Sequence, residues 1–251
     1  RDLVRSRGLG DVYKRQRREG IPLSSYKISN ISTYSHPFYK KFNPDSLRIT
    51  PTFTNFALQR NHNDMYIASE KRKSNIAEYI LYMWQIEDII RANGCDIEKI
   101  KASVIDPMTP DPARRQELTQ WYESLIDMMR HENVTTSGHL QINRNILNQL
   151  VQLHQTLLSD PEFPEYTAEF YRTLPYIVEL RAKAGENRTG EIETCFTALY
   201  GMLLMRLRKQ NITPETTDAI HVISRFIALL ARNFHLDEAG QLFKPKDSST
   251  N

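Results

Sequence analysis

Charged residues that continue apolar lines are the places in this sequence where chemistry could be built. Glu87 follows Ile76, Ile80 and Met83; Arg181 follows Leu174, Ile177 and Val178; Arg206 follows Cys195, Leu199 and Met202. Glu193 lies close to them in the pattern, as do Glu179, Trp84 and Tyr200. Glu87, Arg181, Glu193 and Arg206 are therefore the candidate ligand-binding residues, lining a polar pocket between helices. Burying such charges unpaired costs several kcal/mol each, so if buried they must pair or hold something. Each also has a purely structural reading. Arg181 and Arg206 fall in last helical turns, where the dipole favours cations and long stems reach water, and Glu193 suits a helix start.

Other chemistries find less support. A di-iron bundle needs Glu-x-x-His on two helices, and no Glu after Met65 has His three residues on. Asp218-x-x-His221 and Asp127-x-x-x-His131 stand alone on their helices, and Cys95 and Cys195 have no zinc spacing. Neither a nucleophile elbow, nor a phosphate-cradling glycine loop, nor a dinucleotide fingerprint is present. His154, between Leu150 and Leu157, reads as a satisfied boundary histidine, and His139 as a capping or loop-packing residue. The expectation is no metal, no cofactor and no catalytic residue.

Those side chains must be positioned by the chain from Met65 onward, because charge breaks sharply there. Residues 1–64 hold 12 basic and 5 acidic side chains, the rest 21 and 25, and every methionine, tryptophan and cysteine lies at or after Met65. Asp11-Val12-Tyr13-Lys14-Arg15-Gln16 resembles the in-frame translation of a sequencing-library transposon end, which makes residues 1–16 an assembly artefact. Residues 17–64 read as translated upstream sequence. The expected division is a disordered segment 1–64, a helical body 65–236 and a polar tail 237–251. The net charge of −4 from Met65 onward argues against nucleic-acid binding. Its longest mostly apolar run, Thr194 to Met205, is too short for a membrane span. Two isolated cysteines with no export signal after Met65 point to a reducing cytoplasm.

The body reads as helix throughout. A first helix over about 67–93 carries Ile76, Tyr79, Ile80, Met83, Ile86 and Ile90, with Gly94 as a left-handed stop. Asp111-Pro112 opens the second, with Leu118, Trp121, Leu125, Met128 and Met129. A third follows Ser137-Gly138; a fourth follows Asp160-Pro161, with a kink or restart near Thr173 because of Pro175. The fifth, about 191–209, is apolar almost all round and is expected at the centre. Thr213-Pro214 starts the sixth. The fold class is thus an all-α single-domain bundle of about six helices with a central apolar fifth helix.

Several stretches carry a family likeness. Glu70-Lys71-Arg72-Lys73, Asn75-Ile76-Ala77-Glu78-Tyr79 and Leu81-Tyr82-Met83-Trp84-Gln85 resemble the opening of the Bacteroides-type family called domain of unknown function 4924. Gly138-His139-Leu140-Gln141-Ile142-Asn143, Leu174-Pro175-Tyr176-Ile177-Val178-Glu179-Leu180-Arg181 and Glu193-Thr194-Cys195-Phe196 do the same, and the likeness covers residues 65–234. It implies a small bacterial helical protein and brings no catalytic residues with it. The expected function is non-catalytic: binding of another protein or of a second copy through aromatic surface such as Trp121, Tyr122, Tyr166 and Tyr171. The alternative is a small-molecule binder or enzyme using the interhelical pocket. A chain starting at Met65 is expected to keep a single cooperative melting transition by circular dichroism; losing it would move the start upstream.

Overall fold

The computed structural model describes residues 64–184 and 189–243. Among them every regular element is helical, in eight helices. They are α1 (Asp64–Ser74), α2 (Ile76–Ala92), a composite α3, α4 (Pro112–His131), α5 (Gln141–Ser159), α6 (Pro164–Lys183), α7 (Glu191–Leu207) and α8 (Pro214–Glu238). The composite joins a turn Ile97–Ile100, a π segment Lys101–Ile105 and a closing turn Asp106–Met108. The reading of residues 1–63 as upstream sequence, and most of the polar tail, lie outside the described residues. Asp64 opens α1, and α8 runs to Glu238.

The expected first helix is two helices, because Asn75 offers the backbone a better partner than the next turn. Its φ of −156° is extended, and its Oδ1 accepts from the Ala77 and Glu78 amides at 3.1 and 3.3 Å. Glu78 answers by accepting from Asn75 Nδ2 at 3.2 Å. The second departure from six is α3. Asp96 Oδ1 caps it through the Glu98 amide at 2.9 Å, and Ile100 and Ile105 are fully buried. Its apolar residues are too few to show a helical period on their own. At the end of α2, Gly94 adopts φ +68°. The Cys95 amide reaches the Ile90 carbonyl and the Gly94 amide the Arg91 carbonyl, both at 2.9 Å, the paired closure of a Schellman motif. No restart occurs at Pro175. α6 passes straight through it because Pro175 lies on the exposed side, where the carbonyl it leaves unpaired meets water.

Two apolar cores share α2. Ile76, Ala77, Ile80, Leu81 and Trp84 face a larger core built with α5, α6, α7 and α8. Tyr82, Met83, Ile86 and Ile90 face a smaller one built with α1, α3 and α4. A helix lying between two layers must be apolar on both sides, and α2 meets that demand. α7 packs on α2, α5, α6 and α8, and α8 likewise packs on α2, α5, α6 and α7. Cutting the cap with Asn75→Ala should cost about 1 kcal/mol, read as a lower urea midpoint with an unchanged denaturant slope.

Candidate functional site

The site begins with Glu87, fully buried on α2 at the seam of the two cores. The segment between α4 and α5 folds back over it, turning at Gly138 with φ +87°. Arg91, one turn beyond Glu87, holds that segment. Its guanidinium donates to the carbonyls of Val134 and Gly138 and to Asp88 Oδ1, the last at 2.9 Å. The first turn of α5 brings its amide donors toward Glu87, since Leu140 at the cap position has no side-chain acceptor to satisfy them. Glu87 Oε1 accepts from the Leu140 amide at 2.9 Å and from Asn143 Nδ2 at 2.7 Å. Oε2 accepts from His139 Nδ1 at 2.6 Å and lies 3.7 Å from Arg91. The carboxylate thus caps a helix from a distance and is stabilised by the positive end of that helix.

Above this buried network lies a cleft of about 240 Å³ between α2, α5 and α7. Trp84, His139, Asn143, Arg144 and Glu193 line it. His139 stacks on Trp84, with ring centres 4.1 Å apart and planes 12° from parallel. The indole is held in turn by the edges of Phe196 and Tyr200. Tyr200 donates its hydroxyl to Asp88 Oδ2 at 2.6 Å, and burial beside that carboxylate keeps the phenol protonated. The walls are therefore rigid. Two polar groups in them are not satisfied by protein. Asn143 is 1% exposed, and its Oδ1 has no hydrogen-bond partner among the described residues. The Glu193 carboxyl is lifted above its ordinary value by burial, with His139 pulling it partly back.

The four residues singled out by pattern do not share one pocket. Glu87 and Glu193 stand on either side of His139. Arg206 is 13 residues along α7 from Glu193, about 20 Å at the helical rise, and burial lowers its pKa with Nη2 unpartnered. Arg181 belongs to a second buried group. There His154 Nδ1 meets the Tyr166 hydroxyl at 2.7 Å and its Nε2 faces Glu191 Oε2 at 3.8 Å. The facing imidazole, with help from Arg181, holds the Glu191 carboxyl below its ordinary value. His139 does pack a loop, as the pattern suggests, but on Glu87 and Trp84. Asn143 was not singled out: a polar residue three after Leu140 reads as surface until the first turn of α5 is seen facing Glu87.

The aromatic surface expected to serve an interface is largely interior. Tyr122 and Tyr166 are core residues and Trp121 is half-buried, leaving Tyr171 exposed. Among the described residues no three His, Cys, Asp or Glu side chains are grouped to hold a metal ion. Asp218 and His221 are both exposed, and His131 Nδ1 donates to the Asp127 carbonyl. No described helix is long and apolar enough to cross a membrane.

Residues 65–241 match the model of the family described as Domain of unknown function (DUF4924). The chain belongs to that family. No curated protein and no solved structure matches it. The match takes in both cores and every residue of the cleft, and it runs past residue 234 to the end of α8.

Two carboxylates of this family member should respond oppositely to removal of charge. Glu87→Gln turns an amide NH2 toward groups that only donate and should cost about 3 kcal/mol. Glu193 has a folded pKa above its unfolded one, so its ionised form weakens the fold as pH rises. Glu193→Gln should therefore raise the urea midpoint at pH 7, with the gain shrinking toward pH 4.

Proposed function

We propose that this protein binds a small polar molecule in the cleft between α2, α5 and α7. The observation that carries the reading is the unpartnered Oδ1 of Asn143, an almost fully buried acceptor in the cleft wall. A buried acceptor left without a donor costs about 1–3 kcal/mol, and a bound ligand with a donor in place removes that cost. Glu193 supports the same reading, since it sits on the cleft in a charge state that burial opposes. Concave sites with fixed aromatic walls and a few converging polar groups are the usual form of ligand pockets. His139 acts here as a wall held by Glu87 and Trp84. α7, apolar on most sides, serves as the central pillar that presents Glu193. Cys95 and Cys195 are both buried and free, which favours a reducing cytoplasm as the setting.

A second reading, self-association, rests on α6. Tyr171 and Val178 are 60% and 57% exposed, and seven residues apart they share one helix face. Light scattering of Tyr171→Ser beside the parent chain distinguishes the two readings, since the cleft lies on other helices.

The chain has two tryptophans, so Trp121→Phe leaves Trp84 as the sole indole reporter. Native mass spectrometry of protein purified from its own cells should show a retained small molecule. Stripping that molecule from the Trp121→Phe chain should shift indole emission. No adduct, and no emission change with any cell-extract fraction, would overturn the cleft as a binding site.

A further inference from the structure

We propose that the cleft takes a small zwitterion, with its ammonium group seated between Asn143 and Glu193 and its carboxylate directed to Arg144 at the rim. The inference rests on the cleft being a ligand site and adds the chemical class. The orientation of Asn143 is decided by its partner: Nδ2 lies 2.7 Å from Glu87 Oε1, and a carboxylate only accepts, so the amide oxygen must be the end left over. That oxygen is the one without a partner, and Glu87 behind it is sealed from solvent while Asn143 lines the cleft. Glu193, across on α7, adds a carboxylate that has no hydrogen-bond or ion-pair partner among the described residues. His139 is fixed beside them, its Nδ1 spent on Glu87 Oε2 at 2.6 Å.

Asn143 Oδ1 and the Glu193 carboxylate are both acceptors, and an ammonium group brings three donors and a positive charge to meet them. A carboxylate in that place would face Asn143 Oδ1 and the like charge of Glu193. The opposite charge belongs at the mouth. Arg144 lines the cleft, is exposed, and has no ion-pair partner among the described residues. A guanidinium at a rim repels a bare cation and can take a carboxylate through two parallel hydrogen bonds. Charge thus runs from acceptors inside to a donor fork outside, which matches an amino acid.

Three probes of one chain length separate the terms: 4-aminobutanoate, butylamine and butanoate, each titrated against Trp84 emission in the Trp121→Phe chain and against His139 signals by NMR. The amino acid should bind tightest. Glu193→Gln, which keeps shape and should not harm folding, should weaken 4-aminobutanoate and butylamine about tenfold while leaving butanoate unchanged. Arg144→Gln should weaken 4-aminobutanoate and butanoate and spare butylamine. Butanoate binding as well as the amino acid, or indifference of the amino acid to Glu193→Gln, would overturn the ligand class while leaving the cleft a binding site. If none of the probes binds, yet a cell-derived molecule still moves Trp84 emission, the class falls and the site stands. Silence in both experiments removes both.

Discussion

One buried carboxylate holds this structure's working parts together. Glu87 is sealed from solvent, where an unpaired charge would not be tolerated. It is tolerated because the start of α5, His139 and Asn143 surround it with donors. The dependence runs both ways. α5 begins with no side-chain cap of its own, so its first amides need Glu87 as much as Glu87 needs them. Arg91 completes the arrangement by tying the preceding segment to α2. Two of the cleft's lining side chains are set by this pairing, since Glu87 binds both His139, which stacks on Trp84, and Asn143.

Buried polar groups are satisfied unevenly across the molecule: Arg206 Nη2, Glu169 Oε1, His154 Nε2 and Thr217 Oγ1, all away from the cleft, also lack a hydrogen-bond partner among the described residues. Asp64 accepts from the hydroxyls of Tyr82 and Tyr122, and Glu169 pairs one oxygen with Arg172 and Arg225. At the cleft an amide oxygen is left unmatched beside a carboxyl whose charge burial opposes. Sites that bind ligands keep polar groups unsatisfied so that binding itself satisfies them, and they do so at the expense of the empty fold. His154 is packed among Tyr166, Phe170 and Phe226, with the Tyr166 hydroxyl at Nδ1 and Glu191 3.8 Å from an Nε2 that makes no hydrogen bond.

Periodicity made the helices legible, since an apolar residue every third or fourth position reports which face is buried without naming what it is buried against. Ile76, Ile80 and Ile90 were readable in that way. So were the Gly94 stop and the Pro112 start, because each uses a residue whose backbone preference is local. Asn75 was harder, as its capping role competes with a strong helical pattern on both sides and depends on Glu78 for its answer. The composite α3 was not legible, having too few turns to show a period. Glu87 stood out as a charge on an apolar line. Arg181 and Arg206 showed the same signal, yet neither lines the cleft, because a line of apolar residues gives an azimuth and not a neighbour.

What the sequence determined by itself is the helical class, most of the helix limits, the family likeness and Glu87 as a carboxylate on an apolar line, with Glu193 near it in the pattern. These follow from short-range rules of turn, cap and period. Only the tertiary structure decided that α2 lies between two cores, that α5 begins against Glu87, and that Asn143 and Glu193 face one cleft. Those facts depend on how helices distant in the chain are brought side by side. A hydrogen bond across 56 residues, such as that from Asn143 to Glu87, leaves no mark in either residue's local pattern.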